Sequence, residues 1–292
     1  MLYRVMMLTA GVLGAAVLAP AVGVAQDKPA VKWPDQVAIR GQDAVKERKP
    51  APRRSMTGMW NALRLGNQSG GVHLKPNNGR PENELPYTPY GLQLYRSHKP
   101  LEGVDSVAPA DTNDPRTRCE PLGFPRYNHY DLGVQVFQDE YKILMAYNYD
   151  NRWRVIWTDG RSLPTVVDGG VEVDGEYRDQ RWFGYSVGRW IDDYTLDVVT
   201  VGTMPDDRVW LDNTGRPISE QARITERFRR IDSETMEWSE TIDDPKIYAR
   251  PWETMRLTMT LQDPRIDQIT RYCSPTEIER YNKTFGDAAS GR

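Results

Sequence analysis

The sequence predicts an all-β protein: an antiparallel barrel with a proline-rich N-terminal wrap and one short C-terminal helix. Three observations lead there. Between residues 133 and 261, short runs of alternating apolar and polar residues are separated by turn residues, which is the period-2 signature of strands. The 292 residues include 23 Gly and 21 Pro, too many punctuating residues for long helices or coiled coils. The 9 Trp and 15 Tyr far outnumber the 5 Phe, so the apolar interior should carry many polar handles.

The elements follow in order. Thr57-Gly58-Met59-Trp60 opens ordered sequence as a first strand. Residues 66–125 hold nine prolines from Pro76 to Pro125, which central strands do not tolerate, so this segment should wrap a scaffold rather than build one. Thr88 to Ser97 reads as one short helix within it. Tyr141–Tyr149 and Arg152–Trp157 flank Asp150-Asn151, a hairpin signal. With Asp150-Asn151 as a two-residue turn, Tyr147 pairs with Arg154, while Leu144, Ala146, Trp153, Val155 and Trp157 share the other face. Phe183–Trp190 and Tyr194–Val201 form a second hairpin around Asp192-Asp193. Arg223–Ile231 and Met236–Ile242 form a third around Asp232-Ser233-Glu234. Met255, Leu257, Met259 and Leu261 alternate along a further strand. Sequential hairpins of this kind close into an antiparallel barrel. Ser274-Pro275-Thr276-Glu277 is a capping box with proline at the first helical position. Ile278, Tyr281 and Phe285 follow at helical spacing, which predicts a short helix packed on the barrel with Cys273 at its start.

Composition also bounds the compartment and partners. A formal net charge of −3 argues against a nucleic-acid partner held by bulk charge. Arg4, the apolar run Val5–Leu18, Pro20 and the small residues Gly23-Val24-Ala25 form a secretory leader, with cleavage expected near Ala25. The alternative is an uncleaved anchor, though Gln26-Asp27 lacks a charged stop-transfer flank. No later segment is apolar enough to span a bilayer. Residues 26–55 read as a flexible linker, and residues 56–292 as one barrel domain that includes the loop-rich wrap of residues 66–130. Export permits a disulfide between the two cysteines, Cys119 and Cys273, worth about 4–5 kcal/mol in the chain-entropy model. Two separate thiols are the alternative reading.

Five stretches also resemble a known group: NDPRTRCEPLGFPR at residues 113–126, WTDGR at 157–161, GYSVGRW at 184–190, TERFRR at 225–230 and DDPKIYARPW at 243–252. In this order and spacing they resemble a large family of exported bacterial proteins with a lipocalin-like barrel, over roughly residues 57–285. The resemblance implies a lipocalin-like fold and a Gram-negative periplasmic home. It implies no reaction and no catalytic residues. The Cys-His frequent near that family's C-terminus is Cys273-Ser274 here, so no role for that histidine carries over.

The remaining signals concern chemistry. Gly184-Tyr-Ser186-Val-Gly188 matches G-x-S-x-G, but a β pattern follows it, where a nucleophile elbow requires a helix. His73, His98 and His129 stand apart without metal-ligand spacing, so no metal is expected, and no glycine-rich phosphate loop points to a cofactor. Arg116 and Arg118 read as structural, paired with Asp159 or Glu226. His129 and Tyr127, in the same proline-rich loop, are better placed for proton exchange with a ligand. Glu226 and Arg230 share parity with Phe228, and Arg227 and Arg229 share the other parity. At least one ionised group therefore faces the barrel interior, where burial is costly unless the charge is paired.

Two classes of function follow. One is a cofactor-independent enzyme acting by proton transfer (a lyase, isomerase or hydratase) on a small apolar or aromatic molecule in the barrel mouth under residues 114–130. His129 and Glu226 would be its acid and base. Tyr127, Tyr147, Arg154, Asp159 and Arg161 would orient the ligand between aromatic walls of Trp153, Trp157, Trp190 and Trp210. The other is a carrier for the same kind of ligand. A filled barrel with no pocket would favour a third, structural role.

Overall fold

A computed structural model describes residues 49–62, 75–129, 133–164, 181–263 and 273–286; the expected leader, most of the expected linker and His73 lie outside them. Ten strands form one sheet: β1 (Gly58–Ala62), β2 (Val134–Gln138), β3 (Lys142–Tyr147), β4 (Arg152–Trp157), β5 (Tyr185–Trp190), β6 (Thr195–Val201), β7 (Arg223–Arg230), β8 (Thr235–Asp243), β9 (Trp252–Glu253) and β10 (Leu257–Leu261). Neighbours pair in chain order from β1 to β8, and β10 bridges β8 to β1, so nine strands close a barrel as expected. The two-residue β9 flanks the end of β8 outside that ring.

A closed ring with an odd number of strands cannot alternate direction throughout, so at least one neighbouring pair must run parallel. Here that pair is β4–β5, joined only at Ile156–Ser186 and Trp157–Val187. All other seams are antiparallel. Parity along each strand decides what the ring encloses. Trp60, Val134, Met145, Ile156, Leu196, Val198, Phe228, Trp238 and Leu257 point inward and form one apolar core. Glu226 and Arg230 are on the inward parity of β7, which the sequence left open.

The first hairpin differs from its expected register. Tyr147 pairs with Arg152 and Met145 with Arg154, because the loop spans Asn148–Asn151 instead of two residues. Asp150 and Asn151 occupy left-handed conformations (φ 56° and 47°), which these short polar side chains tolerate. The shift is by two residues, so the predicted faces survive.

One end of the barrel is stoppered. The wrap carries α1 (Pro89–Ser97), with Thr88 accepting from the Gly91 amide as N-cap, then one-turn 3-10 helices at Pro115–Arg118 and Arg126–His129. Residues 121–129 enter the barrel mouth as a plug. A second apolar cluster takes in Phe124 of the plug with Leu85, Met204, Val209, Leu211, Ile218, Ile224, Ile242, Ile247, Tyr248 and Trp252. Gly123 is needed for the close approach, since φ is 72° and a Cβ there would lie 2.3 Å from Val209 Cγ1.

Cys119 and Cys273 are bridged, with Cα atoms 5.3 Å apart. The bond ties the wrap to α2 (Pro275–Tyr281). The expected packing of that helix on the barrel is corrected: Tyr281 is 51% and Phe285 61% exposed. Two helical turns offer too short a stripe to bury much area, and the disulfide anchors the segment instead. Among the described residues, no helix is long and apolar enough to cross a membrane.

Candidate functional site

Two places hold the chemistry. The first is inside the stoppered mouth, where the plug meets β3 to β8. Glu226 accepts from Asn128 Nδ2 at 2.9 Å and from Arg154 Nη1 at 3.1 Å, and its second oxygen takes Arg154 Nη2. Arg154 also donates from Nε to Ser186 Oγ (3.0 Å) and from Nη2 to Thr200 Oγ1 (2.8 Å), and it lies 4.0 Å over the Phe124 ring. Tyr147 donates to Asn128 Oδ1 at 2.6 Å. His129 Nε2 lies 3.2 Å from Glu240 Oε1. All of these side chains are buried.

The β7–β8 register sets Glu226 directly opposite Glu240, two carboxyl groups on facing inward positions. Burial pushes the Glu226 pKa up against the pull of Arg154, and Glu240 adds to the rise. Burial likewise raises the phenols of Tyr127 and Tyr147, which therefore stay protonated. Tyr127 stacks on Phe183 at 4.9 Å. The free space beside Asn61, Asn128 and Tyr147 is about 20 Å³, room for roughly one water.

The plug is anchored from the cap. Arg126 donates to Asp114 through both Nη atoms (2.9 and 2.6 Å) and to Asn213, with Trp210 packed 5.6 Å from its guanidinium. Burial opposes ionisation of Asp114, but Arg126 outweighs it and holds the carboxyl below its ordinary pKa.

The second place is the parallel seam. Beyond the Ile156–Ser186 pair, β4 and the residues leading into β5 diverge. Phe124 N donates to Trp182 O at 2.8 Å, so the plug draws the segment before β5 out of line. Gly184, at φ 62°, makes the bend, and a Cβ there would lie 2.7 Å from Val201 O. The result is a cleft of about 350 Å³ in the barrel wall. Trp153, Trp157, Trp182, Phe183 and Tyr185 line it together with Arg152, Arg181 and, from the inner network, Arg154 and Ser186. Arginines stack against the rings: Arg161 at 3.6 Å over Trp157, Arg208 at 5.2 Å over Trp182 and Arg181 at 5.4 Å over Tyr185. Arg161 also donates to Tyr185 Oη at 2.9 Å and pairs with Asp159.

His129, Glu226, Tyr127, Tyr147 and Arg154 are therefore brought together as expected, but in a filled interior. Several other expectations need correcting. His129 faces Glu240, not Glu226, because adjacent plug residues reach different strands. Trp153 and Trp157 do not wall the interior; they take the outward parity of β4, and Trp153 is 63% exposed. Asp159 and Arg161 follow β4 on the outside. Trp190 does face inward, packed on the core at the far end of β5. Trp210 belongs to the cap, where it stacks on His98 at 4.5 Å. Arg116 pairs with Asp114 at 3.6 Å, since Asp159 and Glu226 are engaged by Arg161 and Arg154. Ser186 sits inside β5 with its hydroxyl committed to Arg154 and Thr200, so it is strand and not elbow.

Sequence reasoning missed Glu240, Asn128, Trp182, Phe183 and Arg181 as site residues. Glu240 was within reach: a turn centred on Ser233 puts it opposite Glu226. Trp182 and Phe183 carried no such signal, because the plug places them. No family model, curated protein or solved structure matches this chain.

Proposed function

We propose that the protein is an exported ligand-binding barrel that holds a small aromatic molecule in the wall cleft at the β4–β5 seam. The observation that carries this reading is an aromatic lining around open space. The aromatic-lined cleft offers about 350 Å³, within the size range of small-molecule sites, while the interior offers about 20 Å³. Export is supported by the leader pattern and by the Cys119–Cys273 bridge, a bond at home in oxidising compartments. Tryptophan fluorescence titrated with naphthol, naphthamide and naphthoate tests the reading. Saturable quenching that Trp153→Ala weakens is expected, and no saturable quenching by any of the three would overturn it.

A second reading, proton-transfer catalysis in the interior, has one observation in its favour. Glu240 Oε2 is buried with no hydrogen-bond partner among the described residues, beside His129 and the raised Glu226 carboxyl. A substrate would reach it only if residues 121–129 withdrew. On that reading bound aromatics are converted, and His129→Gln lowers turnover by about 10²–10⁴. Binding without conversion ends it.

A further inference from the structure

Resting on the binding reading above, we propose that the ligand of the wall cleft is anionic: a planar aromatic bearing a carboxylate or a comparable negative group. The lining decides the sign. Among the described residues that form the cleft there are arginines and no aspartate or glutamate. The nearby acids each hold an arginine. Asp150 holds Arg152 at 3.0 Å, Asp159 holds Arg161 at 2.6 Å and Glu120 holds Arg208 at 2.8 Å, and none of the three lines the cleft.

Three charge classes of ligand can be weighed. A cationic ligand would ordinarily suit a tryptophan-rich site through cation–π attraction. Here guanidinium groups already stand against Trp157, Trp182 and Tyr185, so a second cation would have to compete with them for the same rings. A neutral aromatic would stack on the rings but use none of the guanidinium donors. An aromatic anion uses both: its ring lies among Trp153, Trp157 and Phe183, and its charged group meets the donors of Arg152 or Arg181 at the edge. A hydrogen bond to a charged partner contributes enough to separate an acid from its amide by roughly tenfold or more.

The test is a matched pair. Naphthoate and naphthamide differ only in the charged group, and each is titrated into the full chain at low and at moderate salt. Naphthoate is expected to bind about tenfold or more tightly than naphthamide, to lose affinity as salt rises, and to lose most of its advantage in Arg181→Gln and Arg152→Gln. Naphthamide should ignore both salt and the arginine substitutions. Equal affinities for the two probes would overturn the anionic assignment and leave the binding reading standing. Failure of both probes to bind would overturn the anionic assignment, and failure of naphthol as well would overturn the binding reading.

Discussion

Arg154 and Arg152 lie two residues apart on the same face of β4, in opposite circumstances. Arg154 is enclosed by Glu226, Ser186, Thr200 and the Phe124 ring. Arg152 also lines the wall cleft, and among the described residues its ion-pair partner is Asp150. The interior and the cleft draw on the same vocabulary of arginine, tyrosine and tryptophan. In the interior nearly every donor meets an acceptor of the protein itself, and the arrangement specifies how the plug seats. At the seam the rings and guanidinium groups border open space. Residue type alone does not separate architecture from recognition; enclosure and committed partners do.

The largest effect that sharpens this contrast belongs to Arg154. Arg154→Met leaves the Glu226 carboxyl buried without its cation and should destabilise by about 3–5 kcal/mol in urea unfolding. Joining it to Glu226→Leu should restore much of that loss, because an apolar pair of similar volume replaces the ion pair. A single substitution with no effect would mean the interior network is not structural. Next is the disulfide. Replacing Cys119 and Cys273 by Ala should cost about 2–5 kcal/mol by the same measurement, since the bond closes a long loop between wrap and tail.

Two of the buried carboxyl groups, Asp114 in the cap and Glu226 in the barrel, should differ in pH dependence. Asp114 has a lowered pKa in the folded protein, so its contribution is whole above the ordinary aspartate value near ~4 and drains away as pH falls through the folded value. Stability of wild type relative to Asp114→Asn should therefore shrink on acidification. Glu226 has a raised pKa, so its contribution is present at low pH and is lost as pH rises through the folded value. Relative to Glu226→Gln, wild type should lose ground as pH rises. Slopes of the same sign for both sites, in unfolding curves taken across pH, would contradict the assignment. The smallest effect is expected at the seam. Trp153→Ala removes an outward side chain and should change stability by no more than about 0.5 kcal/mol.

Legibility in the sequence followed the range of the physics. The third hairpin was fully readable because the turn at Asp232–Glu234 is local and fixes every later pair, Glu226 with Glu240 included. The first hairpin slipped by two residues because Asp150 and Asn151 extend a longer loop. Even so, its parity already placed Trp153 on the face opposite Tyr147. The parallel seam was not readable, since it follows from the number of strands that close the ring and from the β10 bridge between β8 and β1. The cleft inherits that non-locality: Trp182 is positioned by an amide of Phe124 far away in the chain. His129, Tyr127 and Tyr147 were found as a group, but their burial could not be read, because it depends on how tightly the plug fits.

The central claim is that recognition belongs to the wall cleft and the interior is architecture. One naphthoate titration of two variants tests it most directly. Trp153→Ala should lose about tenfold in affinity or more, while folded His129→Gln binds as wild type does. Undiminished binding by Trp153→Ala together with lost binding by folded His129→Gln would place the ligand inside the barrel and contradict the account.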